Sequence, residues 1–451
     1  MLRSLKNSVR RMSPAQMIIL YYLVAVLISV LLLRLPFCIK EGVELSFMDA
    51  LFTSVSAVSV TGLSTVNISE TFTVPGNFVL MFVFQFGGIG IMTLGTFFWL
   101  ILRKKIGLRE RRLIMTDQNQ TGLSGMVKHL KSILVLILLI ELIGAIILGT
   151  YFLNYYPDWK EAYLHGLFLA ISSTTNAGFD ITGASLLPFS HDYFIQSVTM
   201  VLIIAGAIGF PVLIELKEFI KNRRKDRRTR LSLFTKITTV TFMGLLVFGT
   251  MAIFFLEMNG HFRGMEWHEA FFYSLFQSVS TRSAGLATMD MNDFSIPTLL
   301  VVSGLIFIGA SPSSVGGGIR TTTFALNLLF LYHYGRGNRS IKLFRRELME
   351  EDIIKSMVVT IMALILCFVA TMVLTITEKF TLISIIFEVA SAFGTSGLSM
   401  GITSELSNIG KMVVMILMFI GRVGIVSFLV SMAGKSKSSN YHYPKEKVII
   451  G

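Results

Sequence analysis

LFTSVSAVSVTGL (51–63), LFLAISSTTNAGF (167–179), LFQSVSTRSAGL (275–286) and IFEVASAFGTSGL (386–398) are variants of one segment, each ending just past a glycine. Each follows a long apolar run and precedes another. A half-membrane helix followed by a glycine-containing extended loop, present four times in one polypeptide, is what a single-chain, pseudo-fourfold cation pore requires. A lone glycine of this kind reads as close helix packing. Four in equivalent positions argue against that.

The composition fits such an architecture. The 451 residues are 53% hydrophobic and 15% charged, with a mean hydropathy of +0.69, which marks an integral membrane protein. Runs such as Pro14–Leu35, Ile133–Leu153, Ser197–Leu216, Ile237–Leu256 and Ser356–Ile376 approach the length that crosses about 30 Å of hydrocarbon at roughly 1.5 Å per residue. Arg3, Lys6, Arg10 and Arg11 precede an apolar stretch, as in a signal peptide. That stretch is too long and lacks a small-residue cleavage site, so Met17–Leu35 reads as the first spanning helix, opened by Ser13-Pro14. Cys38 and Cys367 lie far apart in the repeat scheme, and no disulfide is expected. The seven histidines form no cluster at metal-ligand spacing. Walker, Rossmann, HExxH and nucleophile-elbow patterns are absent from the sequence. Neither an enzyme nor a cofactor on this chain is expected.

A net charge of +13 would suit nucleic acid, but the placement of the basic residues argues against that partner. They concentrate in Arg103–Arg112, Lys217–Arg230, Arg336–Arg346 and the two termini, where one repeat leads into the next. By the positive-inside rule these segments are cytoplasmic. The other connections, carrying Asp158, Asp180, Asp290 and Glu405 among others, are acid-rich and face outside. The expected fold is an all-α multi-pass protein of the cell membrane with both termini cytoplasmic. It has eight spanning helices and four outward-facing re-entrant hairpins.

Each repeat reads as outer helix, short helix, glycine loop, inner helix. Repeat one (1–112) places these at 14–35, 47–58, 59–65 and 77–102, and repeat two (113–230) at 133–153, 161–173, 174–181 and 193–217. Repeat three (231–347) places them at 235–257, 267–281, 282–288 and 296–333, and repeat four (348–434) at 354–376, 382–393, 394–400 and 408–432. Residues 435–451 form a C-terminal tail. Trp159-Lys-Glu-Ala matches Trp267-His-Glu-Ala, and three inner helices carry Gly87-Gly-Ile-Gly90, Gly206-Ala-Ile-Gly209 and Gly421-Arg-Val-Gly424.

A dehydrated cation must exchange its water shell for oxygens, and backbone carbonyls supply these without fixed charge, so the ion can both bind and leave. Aligning successive carbonyls forces unusual backbone angles, which Gly62, Gly178, Gly285 and Gly397 can adopt. The short helices are too short to span, and their partially negative C-termini would face a central cavity. The third inner helix is too long instead: Ile296–His333 is 38 residues, about 57 Å if helical. Pro312 and Gly316-Gly317-Gly318 can break it. Irregular backbone at that depth must be buried in protein or line a water-filled cavity.

SVTGL, TNAGF, RSAGL and TSGL, together with IGASPSSVGGGIRTTT and FIGRVG, closely resemble the Trk/Ktr/HKT superfamily of potassium transporters, specifically the bacterial Ktr membrane subunit. The resemblance covers essentially the whole chain. Trk subunits carry two further N-terminal spans, so a chain starting about a dozen residues before its first repeat fits the Ktr form. The resemblance implies a selectivity filter lined by carbonyls of Val60-Thr61-Gly62, Asn176-Ala177-Gly178, Ser283-Ala284-Gly285 and Thr395-Ser396-Gly397, binding potassium. Sodium-selective members often carry serine at the first glycine; Gly62 here favours potassium. It also implies an intramembrane gate loop, Gly309-Ala310-Ser311-Pro312-Ser313-Ser314-Val315-Gly316-Gly317-Gly318, working with Arg422 as a positive barrier.

Arg422 falls near mid-helix, where an uncompensated charge costs roughly 3 kcal/mol on insertion scales. It is expected to face the pore or an acidic partner. Arg282, beside the third loop, reads as filter support, donating to loop carbonyls or to a carboxylate such as Glu388. Further implications are a homodimer, each protomer with its own pore, a cytosolic ring of nucleotide-binding RCK regulatory subunits docking on the basic loops, and sodium as activator. A secondary transporter of another fold would show inverted repeats and more mid-span charges than Glu141, Arg320 and Arg422.

Overall fold

The computed structural model describes residues 12–90, 126–223, 230–338, 340–432, 444 and 446. The basic N-terminal residues, the Arg103–Arg112 stretch, the first inner helix beyond residue 90 and the rest of the C-terminal tail lie outside the described residues.

The first segment holds α1 (Pro14–Leu33), α2 (Phe47–Ser59) and α3 (Val74–Ile89). The second holds α4 (Met126–Phe152), α5 (Trp159–Thr175), α6 (Tyr193–Ala207) and α7 (Phe210–Arg223). In the third are α8 (Leu233–Glu257), α9 (Trp267–Ser280), α10 (Ile296–Ile308) and α11 (Thr321–Gly335). A small antiparallel hairpin, Lys342–Leu343 with Arg346–Glu347, leads to the fourth, α12 (Glu350–Thr377), α13 (Leu382–Gly394), α14 (Asn408–Val423) and α15 (Ile425–Met432).

Among the described residues four helices are long and apolar enough to cross a membrane: Ala15–Leu33, Leu130–Phe152, Leu233–Glu257 and Glu350–Thr377. Their starts follow local chemistry. At α1, Ser13 and Gln16 form a reciprocal capping box and Pro14 occupies the first turn, where its missing N–H costs nothing. The short helices α2, α9 and α13 have 13, 14 and 13 residues, below a bilayer's span, and α5, with 17, is at its lower limit. The two matching Trp-x-Glu-Ala sequences both open short helices, α5 and α9.

The inner segments differ from expectation. Residues 193–217 and 408–432 were expected as unbroken helices, yet the first bends by 103° between α6 and α7 and the second stops at Gly424 before α15. The cause is backbone conformation: Gly209 has φ +103° and Gly424 φ +88°, outside any right-handed helix. Gly90 (φ +96°) ends α3 and Gly309 (φ +72°) ends α10 in the same manner. All four inner segments therefore end a described helix at or just before a glycine of positive φ, and of the breaks only the third was legible.

Side chains pin the inner segments at their starts. The Glu257 carboxylate, at the end of α8, accepts from Ser295 N (2.8 Å) and Oγ (2.7 Å) ahead of α10. Glu378, just past α12, does the same for Ser407 ahead of α14, at 3.2 and 2.5 Å. Across segments, Lys411 Nζ lies 2.8 Å from Asp49 Oδ1, joining α14 to α2. Aromatic rings close other seams, with buried Phe84 against Phe168 and Phe179, and half-buried Phe307 against buried Phe393.

Candidate functional site

The four glycine loops start with the same strained step. A non-glycine residue two places before each glycine takes a left-handed conformation: Val60 (φ 57°), Asn176 (53°), Ser283 (68°) and Thr395 (47°). The glycines follow at positive φ: Gly62 (92°), Gly178 (71°), Gly285 (73°) and Gly397 (88°). Left-handed backbone at a β-branched valine or threonine costs of order 1–3 kcal/mol and persists only where the surroundings fix it.

The loops meet in one ring. A Cβ on Gly62 would lie 2.6 Å from the Ala177 carbonyl oxygen, and one on Gly178 would lie 3.1 Å from that of Ala284. Gly285 lies in the same way against the Ser396 oxygen, and Gly397 against that of Thr61. Each loop thus rests on the next in cyclic order, and the fourth closes on the first. No side chain fits at any of the four, which is why glycine stands there.

Serines behind the ring hold the loops in place, a feature the sequence reading missed. Gly62 N donates to Ser56 Oγ and Gly397 N to Ser391 Oγ, both at 3.1 Å. Ser172 Oγ donates to the Phe179 carbonyl (2.6 Å) and Ser280 Oγ to that of Leu286. The available signal was a serine six residues before the loop glycine, visible at Ser56, Ser172 and Ser391. Adjacent loops are joined by Asn176 Nδ2 donating to the Arg282 carbonyl (3.3 Å) and Ser283 Oγ donating to that of Gly394 (2.8 Å).

The segment between α10 and α11 is irregular and mostly buried, with Ala310, Ser311 and Val315 at 0–1% exposure. It threads into the break of the second inner segment. Ser311 N donates to the Ala207 carbonyl (3.0 Å), Val315 N to that of Gly206 (3.3 Å), and Phe210 N to that of Ser313 (2.9 Å). Its other face touches the ring: Gly317 N donates to Ser283 Oγ at 3.3 Å, and a Cβ on Gly317 would lie 2.6 Å from Thr395 Oγ1. Thr321 Oγ1 donates to Ser311 Oγ (3.0 Å), and Arg320 to the Ser311 and Gly316 carbonyls. Burial of this backbone meets the requirement for irregular structure at membrane depth.

The guanidinium groups end on carbonyls. Arg422 is 8% exposed and donates to the Gly87, Gly88 and Val315 oxygens, tying α14 to α3 and to the 309–318 segment. Among the described residues it has no carboxylate partner. Arg282 is fully buried and donates to Thr281 Oγ1 (3.1 Å), Leu305 O (3.0 Å) and Gly309 O (3.2 Å). The suggested pairing of Arg282 with Glu388 is incorrect. Glu388, fully buried on α13, accepts from Ser399 Oγ (2.8 Å) and Thr403 Oγ1 (2.5 Å), and so anchors the stretch after Gly397. Both residues adjoin the ring, but Arg282 leans toward the 309–318 segment instead of the loop carbonyls. The reason is reach: the Leu305 and Gly309 carbonyls at the end of α10 lie within hydrogen-bond distance of its guanidinium, while Glu388 is satisfied by two hydroxyls. Glu141, in α4, accepts from Gln85 Nε2 at 2.9 Å.

A cavity of about 440 Å³ opens from Gly62, Gly178, Gly285 and Gly397 toward Asp180, Asp290 and Ser399. A second, of about 250 Å³, adjoins Gly88, Pro312, Ser314, Arg320 and Arg422.

The family described as TrkH, cation transport protein, matches residues 3–442. The chain is 60% identical over 443 residues to Ktr system potassium uptake protein D of Bacillus subtilis, covering 98% of each chain. It is 37% identical to Ktr system potassium uptake protein B of the same organism, over 98% of this chain and 97% of that one. Identity is 35% to the potassium/sodium uptake protein NtpJ of Enterococcus hirae, covering 99% of each. The crystal structure of the potassium transporter TrkH from Vibrio parahaemolyticus superposes with a TM-score of 0.73 over 93% of this chain and 85% of that one, at 20% identity, a likeness of fold. The ring, its buried neighbour segment and these similarities agree, and the chain belongs to the TrkH family of membrane cation transport proteins.

Proposed function

We propose that this protein takes up potassium across the cell membrane through the ring of loops, with Val60-Thr61-Gly62, Asn176-Ala177-Gly178, Ser283-Ala284-Gly285 and Thr395-Ser396-Gly397 supplying the carbonyls that replace hydration water. The observation that carries this reading is the cyclic closure, each loop glycine seated on the next loop's oxygen. An inside-negative potential of 100 mV is worth about 2.3 kcal/mol per cation, enough to drive accumulation passively. The Bacillus subtilis relatives are potassium uptake proteins by name, and NtpJ is a potassium/sodium uptake protein.

In this reading each segment is an outer helix, a re-entrant pore helix with its loop, and a broken inner helix. Eight spans result, with both termini cytoplasmic. Gly309–Gly318 is the gate, held closed under the filter by Arg422, and Arg282 and Glu388 brace the filter from either side. A homodimer, a cytosolic ring of RCK subunits on the basic loops and activation by sodium complete the proposal.

The test is rubidium-86 uptake in a potassium-transport-deficient host, with and without sodium. Wild type should restore uptake, Gly285→Ala should abolish it, and Gly62→Ser should admit sodium. Wild-type protein that reaches the membrane yet moves no alkali cation would sink the reading.

A further inference from the structure

We propose that the Ser283 hydroxyl is a positioning group that couples the ring to the gate segment, so that ion preference and gate position change together. This rests on the pore reading above and adds a device to it. Ser283 Oγ donates to the Gly394 carbonyl at 2.8 Å and accepts from Gly317 N at 3.3 Å. A hydroxyl has one proton and two lone pairs, so it serves both bonds at once. The resulting chain runs from the gate segment (Gly317 N–H) through the third loop (Ser283) to Gly394, the residue before the fourth loop's first member, Thr395.

The neighbouring residue makes the tie two-handed. Arg282 donates to Gly309 O at 3.2 Å, the first residue of the segment, while Ser283 holds Gly317 near its far end. Contact is close along the way, since a Cβ on Gly316 would lie 2.6 Å from Ser283 Cβ and Oγ. Among the described residues the other three loops lack this link. Val60 has no polar group at the equivalent place, Asn176 reaches the Arg282 carbonyl, and Thr395 Oγ1 makes no hydrogen bond. The pseudo-fourfold ring is therefore asymmetric at one position, and that position carries the gate.

The consequence is mechanical. When the segment moves away, Gly317 N leaves Ser283, and a hydroxyl buried at 0% exposure loses one of its two partners. It is then free to rotate off Gly394 O, and the spacing between the third and fourth loops relaxes. Ion preference in a carbonyl-lined ring depends on the number and spacing of its oxygens. Opening and selectivity are linked through one side chain.

The experiment compares purified wild-type, Ser283→Ala and Gly316→Ala protein in liposomes without a regulatory partner, measuring rubidium-86 and sodium-22 leak. Ser303→Ala, which removes a hydroxyl bonded only within α10, serves as control. Ser283→Ala should raise the rubidium leak roughly two- to tenfold, the effect of one neutral hydrogen bond lost from the closed arrangement, and should raise the sodium-to-rubidium ratio with it. Gly316→Ala, which wedges the segment off an intact Ser283, should move both readouts in the same direction. A leak that rises at constant ion ratio in either variant, or neither readout changing in folded Ser283→Ala protein, overturns the coupling. If Ser283→Ala cannot be recovered folded, Gly316→Ala decides alone. Absence of any wild-type flux would instead defeat the pore reading and is scored separately.

Discussion

The second and fourth inner segments break at the last glycine of related tetrads, Gly206-Ala-Ile-Gly209 and Gly421-Arg-Val-Gly424, yet the two breaks do different work. At Gly209 the irregular 309–318 segment enters: a Cβ there would lie 2.8 Å from the Pro312 carbonyl oxygen, and the helix turns by 103°. At Gly424 an added Cβ would meet nothing within 4 Å among the described residues, and α15 follows directly. The third segment breaks at Gly309 and inserts the loop that the second receives. One backbone solution, a glycine at positive φ, thus yields a socket, a plug and a plain hinge, according to what surrounds it.

The sharpest way to break this comparison is at Arg422, which staples plug to hinge. Arg422→Ala removes donors to Gly87, Gly88 and Val315. Under the gating role proposed above, losing even one such charged hydrogen bond shifts the closed arrangement roughly tenfold or more, so rubidium leak without a regulatory partner should rise by at least that factor. Arg282→Ala should instead collapse flux, because it strips a fully buried network from beside the ring; uptake assays returning the opposite pattern would refute both assignments.

A middle-sized effect separates socket from hinge. Alanine at Gly209 or Gly424 carries a common cost of about 1–3 kcal/mol for positive φ, but only Gly209→Ala also collides with Pro312. Its unfolding midpoint in detergent should fall further than that of Gly424→Ala, with leak raised in the first and near wild type in the second. Equal behaviour would show that the socket is not a socket.

The smallest effect concerns the straps at the helix starts, which are alike in the third and fourth segments. Ser407→Ala, which loses its N-cap to Gly410 N, and Ser295→Ala, which loses the hydroxyl's bond to Glu257, should each cost about 1 kcal/mol in denaturant titrations and leave the ion ratio unchanged. A change in selectivity from either would mean that the ring is less insulated than its packing suggests.

Much of this was legible in the sequence, and what was missed has physical reasons. The loops announced themselves through their repeated glycines, and the outer helices through length and hydropathy. The third break was betrayed by a helix too long for a bilayer. The breaks at Gly209 and Gly424 were hidden because apolar residues continue on both sides, as in Ile208-Gly209-Phe210 and Val423-Gly424-Ile425. Pro211, in the first turn of α7, was the overlooked signal. The carbonyl partners of Arg282 and Arg422 could not be read, since backbone carbonyls carry no residue identity and those of Arg422 lie more than a hundred residues away in the chain. The serines behind the ring blend into segments rich in serine and threonine.

The closing of the ring fixes the order in which the molecule can be completed. Gly397 must settle on Thr61, and Lys411 must find Asp49 across 362 residues of chain. During synthesis, therefore, the first loop waits with one flank open until the last quarter of the polypeptide has left the ribosome and entered the bilayer. A product truncated before Gly397 would have every earlier turn and no closed circle.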